Sequence, residues 1–153
     1  MTLQQLLDRD AIHRLHLRYA RAVDSVDLDL FRSVYTAVPT FDRVPGKAYR
    51  GMPEITALIL GLLRFDGSRH CMANEYFDIT GHRATTETYA LATHWYARDG
   101  APPAHYIAMI RYQDNLVRRD GQWKMDTRTL NADWTQEKPP AADTPNKRRP
   151  ANP

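Results

Sequence analysis

From Arg69 onward the chain is written with a period of two, and that switch constrains its fold more than any other feature. Residues 69–79, 83–98, 104–119 and 122–132 read as four long strands rich in β-branched and aromatic residues. Gly81-His82, residues 99–103 and Asp120-Gly121 separate them, and Asp-Gly between two strand-like runs is a strong hairpin signal. Long consecutive strands joined by short turns imply an antiparallel, curved sheet.

Ahead of that switch the spacing is three and four. Leu3, Leu6, Leu7, Ile12, Leu15, Tyr19, Ala22 and Val23 mark an amphipathic helix over 3–23. Residues 26–35 read as a second, short helix with Asp27 as its N-cap. Pro53 suits the first turn of a third, whose apolar face is Ile55, Leu58, Ile59, Leu62 and Leu63, with Gly67 beyond its end. Short extended pieces are expected near 40–43 and 48–50. Three helices followed by a sheet predict an α+β fold, the helices covering one face.

The 153 residues suit one domain, expected over 1–134. Residues 135–153 hold Pro139, Pro140, Pro145, Pro150 and Pro153 among Ala, Asp, Lys and Arg, and are expected to form a flexible tail or an extended arm. The tail has Lys138, Lys147, Arg148 and Arg149 against Glu137 and Asp143, so it carries +2 of the net +3. A nearly neutral body argues against nucleic acid as a partner. The longest apolar run, near 55–63, falls well short of the roughly 20 residues that span a bilayer, so no membrane is expected either. The N-terminus lacks the basic and apolar pattern of a leader, and one cysteine, Cys71, allows no internal disulfide. Both suit a reducing, cytoplasmic setting.

No HExxH, cysteine cluster, glycine-rich phosphate loop or GxSxG elbow is present, so neither metal nor cofactor is expected. His13 and His16 have no matching ligand set.

Four strings run in order along the chain. They are Asp10-Ala11-Ile12-His13-Arg14-Leu15 leading to Tyr19-Ala20-Arg21-Ala22-Val23-Asp24, Tyr49-Arg50-Gly51-Met52-Pro53-Glu54-Ile55, His70-Cys71-Met72-Ala73-Asn74, and Leu116-Val117-Arg118-Arg119-Asp120-Gly121-Gln122-Trp123-Lys124. With the element order, they resemble the SnoaL-like branch of the nuclear-transport-factor-2 superfamily over about residues 5–134. That resemblance implies a cone-shaped curved sheet around one internal pocket. It does not settle function, because the superfamily holds dehydratases, dehydrohalogenases, isomerases, cyclases, hydrolases and proteins without chemistry.

Within the superfamily the chain is most similar to the scytalone dehydratase, bile-acid dehydratase and hexachlorocyclohexane dehydrochlorinase subgroup. Asp24 and His70 match its Asp–His dyad. Tyr19 lies where bile-acid dehydratase has a Tyr and the dehydrochlorinase a Lys, which leans towards loss of water. Arg128 lies where an Arg follows the Trp of the last strand, and His94 matches a second histidine of scytalone dehydratase. The resemblance thus implies Asp24, His70, Tyr19 and Arg128 as catalytic.

These residue types suit elimination. Histidine has a pKa near neutrality, and a carboxylate on one ring nitrogen fixes its tautomer and stabilises the imidazolium. A tyrosine hydroxyl can protonate a leaving hydroxide. A fixed arginine charge can stabilise a developing enolate, or simply lock Asp24. Each residue also has a plainer reading. Asp24 can bond backbone at a helix end, His70 and Tyr19 can be core residues, and Arg128 can pair with Asp126 or another sheet carboxylate. Asn74 can cap a strand edge. His94, Asn74, Met72, Phe41 and Trp134 are the candidates for substrate contact.

Alternation adds three expectations. His70, Met72, Asn74 and Tyr76 should share a face, and Trp123 and Arg128 should point apart. Tyr19 and Asp24 diverge by roughly 140° on a regular helix, so both reach one pocket only if the helix ends near Val23.

The first expectation for function is a cofactor-independent lyase acting on an apolar, ring-containing hydroxylated small molecule, by loss of water or of a small carbonyl fragment. An isomerase or cyclase is the second. A non-catalytic binding or interaction module is the third, in which Asp24 and His70 do not meet or side chains fill the pocket. Trp95, Tyr89, Ile110 and Tyr112 are expected on the outer face of the sheet, giving a homo-oligomer; the dehydratase-like relatives imply a trimer, the wider superfamily a dimer.

Overall fold

Thr2 opens the first helix with a reciprocal cap. Its Oγ1 accepts from the Gln5 amide at 3.2 Å, while its own amide donates to Gln5 Oε1 at 2.8 Å. Helix α1 spans Leu3–Ser25 and stops where Val26 turns left-handed at φ 53°. Asp27 caps α2 (Leu28–Ser33), as its sequence position predicts, accepting from the Leu30 amide at 2.9 Å. Strands β1 (Tyr35–Val44) and β2 (Ala48–Arg50) follow, then α3 (Gly51–Leu60) and a 3-10 turn (Gly61–Arg64). Four long strands complete the fold: β3 (Gly67–Thr80), β4 (Arg83–Arg98), β5 (Ala101–Arg119) and β6 (Gln122–Lys138). This computed structural model describes residues 2–98 and 101–138, without the side chains of 97–98 and 101–103.

The strands form one six-stranded sheet in the order β2-β1-β6-β5-β4-β3. β1 lies parallel to β6 and every other pair is antiparallel. The sheet stays open, with α1 packed on β3 and β6 and α3 on β1. Ile12, Leu15, Phe31, Ile55 and Met125 are fully buried between these layers, each contributing on the order of 1.5–3 kcal/mol. No helix among the described residues is long and apolar enough to cross a membrane.

The sheet is larger than its sequence suggests. β1 runs for ten residues where alternation picks out only 40–43, because Pro39 reads as a strand breaker. Pro39 sits in the irregular stretch where the register against β6 shifts between Tyr35 and Thr40. β6 continues to Lys138, pairing Glu137 with Tyr106, so the expected tail begins at least four residues later than 135. The rest of that tail, and residues 99 and 100 of the turn expected at 99–103, lie outside the described residues, while 101–103 already belong to β5.

Bulges change which side chains face the helices. Between Met72 and Glu75, β3 carries one extra residue against β4. His70 and Met72 point inward, but Glu75, Phe77 and Ile79 then take the inner positions, and Asn74 and Tyr76 are exposed. In β6 the register steps from Met125 to Thr127 opposite Leu116 and Asn115, leaving Asp126 extra. Trp123 and Arg128 therefore both turn inward instead of apart. Trp123 packs under α1 and donates its Nε1–H to Asp8 at 3.0 Å. Ile110 and Tyr112, expected outside, are buried in the core, because β5 presents its even residues to the helices; Tyr89 is half-buried.

Candidate active site

The last turn of α1 brings Asp24 against the start of β3, where donors from Ser68 and His70 hold its carboxylate. His70 Nδ1 meets Oδ1 at 2.7 Å, Ser68 Oγ–H donates to Oδ1 at 3.0 Å, and the His70 backbone N–H donates to Oδ2 at 3.0 Å. Burial pushes the Asp24 pKa up, but the His70 bond and charge, the amide and Ser68 outweigh it and leave the carboxyl below its ordinary value. With Nδ1 on Asp24, Nε2 is the ring nitrogen that remains for chemistry. The His70 side chain is 6% exposed and forms part of a cavity wall.

That cavity has a volume of about 560 Å³. Tyr19, Tyr112, Ala108 and Ile110 line its inner part, and Phe41, Leu130 and Ala132 one side. Leu58, Ile59 and Leu62 close it from α3 and the 3-10 turn. His94 belongs to the same wall. Its ring lies 5.5 Å from that of His70 at 89°, and 4.6 Å from Phe65. Lined mostly by apolar and aromatic groups with a few polar ones, the cavity has the make-up of a small-molecule site.

The structure thus gathers Tyr19, His70, His94 and Phe41 around one space. Asp24 stands behind His70, outside the lining. Helix α1 does not end at Val23 but continues through Ser25, so Tyr19 and Asp24 do diverge: one faces the cavity and the other grips β3. Three candidates for substrate contact fall elsewhere. Asn74 is exposed beyond the β3 bulge, Met72 packs on the core without reaching the cavity, and Trp134 is 48% exposed on the outer face of β6 opposite Met109.

Arg128 takes the plainer of its two expected roles, a salt bridge to another carboxylate of the sheet, and stays out of the cavity lining. It makes a two-pronged ion pair with Asp114, Nε to Oδ1 at 2.7 Å and Nη2 to Oδ2 at 2.6 Å, with both side chains fully buried. Its guanidinium lies 4.0 Å from the Tyr19 ring centroid and 4.1 Å from that of Tyr112. Two rings therefore screen it from the cavity, and neither Asp24 nor Asp126 is its partner; Asp126 accepts from Thr36 instead.

Behind the cavity runs a buried ionic chain that the sequence reading missed. His16 Nδ1 meets Glu75 Oε1 at 2.7 Å, and His16 Nε2 lies 3.4 Å from Asp114 Oδ2. His13 Nδ1 reaches Glu75 Oε2 at 2.6 Å. Burial works against charging His16, but its bonds to Asp114 and Glu75 prevail and raise its pKa above the usual histidine value. Burial likewise opposes ionising Asp114, yet Arg128 and His16 pull it down to about 2. Glu75, raised by burial and lowered more by the two histidines, also ends below its ordinary value. The signal was present: His16 falls in the phase of Ile12, Leu15 and Tyr19, and Asp114 in that of Tyr112 and Leu116.

The SnoaL-like domain family matches residues 4–129. No curated protein matches the chain. Among solved structures it is similar to a candidate scytalone dehydratase from Novosphingobium aromaticivorans, at 23% identity over 98% of this chain and 97% of that one, with a TM-score of 0.80. It is also similar to a hexachlorocyclohexane dehydrochlorinase from Novosphingobium barchaimii, at 16% identity over 94% and 99%, with a TM-score of 0.81. A protein of unknown function from Mycobacterium tuberculosis is 24% identical over 85% and 74%, with a TM-score of 0.74. At these identities the likeness establishes the fold.

Proposed function

Because the chain belongs to the SnoaL-like domain family, we propose that it is a cofactor-independent lyase that removes water from a ring-containing hydroxylated small molecule. One observation carries the reading: Asp24 and His70 meet at 2.7 Å, and His70 borders a cavity large enough for such a molecule. His70 Nε2 takes the proton beside the leaving group, and Asp24 stabilises the imidazolium.

Tyr19 supplies the acid. Burial raises its pKa, with Arg128 acting in the opposite sense, and the net value lies above that of free tyrosine. The hydroxyl is therefore protonated at neutral pH and can donate to the departing hydroxide. The proton held by His70 then restores Tyr19, and water is released. Arg128 acts through the ring it lies under, favouring the transient tyrosinate rather than touching substrate. Release of a carbonyl fragment, such as formaldehyde, would use the same parts.

Incubation with a panel of ring-bearing β-hydroxy ketones, read by mass spectrometry, tests this. The expected result is loss of one water from at least one compound, slowed by about a hundredfold or more in His70→Ala. Equal turnover by wild type and His70→Ala would overturn the reading.

A second reading, isomerisation, is favoured by His94, which puts another imidazole on the same cavity 5.5 Å from His70. Two such groups can take a proton from one carbon and return it to another. A product of unchanged mass would select it.

The outer face of the sheet exposes Tyr76, Leu91 and Trp134. This supports a homo-oligomer, a trimer first and a dimer second, which light scattering would distinguish. The exposed thiol of Cys71 suits a reducing, cytoplasmic setting.

A further inference from the structure

The charge around the cavity is one-sided. Among the described residues its lining holds two formally charged side chains, Arg43 and Arg64, and no carboxylate. Both arginines are exposed at the mouth. Four other arginines are matched, Arg14 to Asp10, Arg32 to Asp29, Arg111 to Glu87 and Arg118 to Asp8, so none of those four acids is free to neutralise the mouth. The carboxylate nearest Arg43 in the chain, Asp42, is taken by Arg50. Glu137, beside the cavity residue Tyr96, accepts that tyrosine's hydroxyl at 2.6 Å. No side-chain hydrogen bond or ion pair engages either rim guanidinium among the described residues; Arg64 lies 4.6 Å over the Phe65 ring.

Their placement suits one molecule. Phe65 links the rim to the interior, since its ring touches Arg64 on one side and His94 on the other, and His94 adjoins His70. Arg43 approaches from β1, opposite Leu130 in register and two residues beyond Phe41. A ring body filling the apolar interior would leave its far end between two planar donors that bind carboxylates in a two-pronged fashion.

We propose that Arg43 and Arg64 form an anion-binding rim, and that the ligand of this cavity is an amphipathic acid whose carboxylate sits at the mouth while its ring system lies against His70 and Tyr19. This rests on the cavity being the substrate site. It narrows the substrate class from any hydroxylated ring compound to those carrying an acidic side arm.

Calorimetry with 2-naphthoate and its uncharged counterpart 2-naphthamide tests it on the intact protein. The acid is expected to bind roughly three- to tenfold more tightly at low ionic strength, the scale of partly exposed ion pairs. The ratio should shrink in about 0.5 M salt and fall to about one in the Arg43→Gln/Arg64→Gln double variant, with the amide's affinity unchanged. The Arg14→Gln/Arg32→Gln double variant, which removes the same charge elsewhere, should keep the ratio. Equal binding of both probes by wild type, or a preference that survives the double variant, would overturn the rim. Binding of neither would overturn the open cavity itself. A rim preference alongside undiminished turnover in His70→Ala would leave the rim standing and remove the elimination reading.

Discussion

Arg128 lies over Tyr19, its guanidinium carbon 4.0 Å from the ring centroid, and donates directly to its partner Asp114, Nη2 to Oδ2 at 2.6 Å. A buried cation held by one carboxylate and two rings cannot lose that carboxylate cheaply. Asp114→Asn is expected to destabilise the fold by about 3–5 kcal/mol, because it leaves Arg128 charged and uncompensated. Urea unfolding measures this. A loss under about 1 kcal/mol would mean that the pair is solvated.

Tyr19→Phe keeps the ring over Arg128 and removes only the hydroxyl. Turnover should fall by about a hundredfold with little change in the unfolding midpoint. A full-speed variant would relieve Tyr19 of the acid role.

Asp24→Asn keeps the shape of the dyad but offers His70 an amide that can impose the wrong tautomer. A rate loss of roughly a thousandfold or more is expected, with substrate affinity nearly kept. Ser68→Ala withdraws one donor from Asp24 and should cost far less, about tenfold, while moving the acid limb of the pH profile upward. Ser68 acts here as a positioning residue, and an unmoved pH profile would reduce it to packing.

Stability should fall at both ends of the pH range for different reasons. Asp24, Glu75 and Asp114 have folded pKa values below their unfolded ones, so their contribution is complete above about pH 4.5 and is lost as pH drops towards 2. His16 is raised, so its contribution is complete below about pH 6.5 and is lost as pH rises through its folded value. His16→Asn should lower the midpoint at pH 6 and flatten the alkaline decline. Thermal midpoints from pH 2 to 9 test both limbs, and a profile with the same alkaline slope in the variant would exclude His16 as its source.

A Cβ on Gly67 would lie 2.1 Å from the Trp95 ring, so Gly67→Ala must displace that indole. A loss of roughly 1–3 kcal/mol and a shifted tryptophan emission are expected. An unperturbed spectrum would show that β3 can move aside.

Helix positions, the Asp27 cap and the long hairpins were legible because period and turn chemistry are local. So was the pairing of Asp24 with His70, though through family likeness and not through spacing. What sequence hid was set by the register. Asn74 was placed on the face of His70, and Arg128 apart from Trp123, by counting twos along strands that bulge. Nothing local announces an extra residue, because a bulge is settled by the neighbouring strand. Pro39 hid half of β1 for a similar reason: its penalty in a strand is real, but here it falls where pairing is already irregular. Glu75 escaped notice because the same count put it outside.

The extra residue in β3 also bears on how relatives are compared. Upstream of it the strand carries His70, and downstream it carries Glu75, each aimed inward by opposite parity. A relative with a regular strand would need a one-residue gap between the two positions. An ungapped alignment would be correct on one side of Ala73–Asn74 and wrong on the other. It would then report the dyad as shared and the buried histidine's partner as lost, or the reverse, when only the counting had slipped.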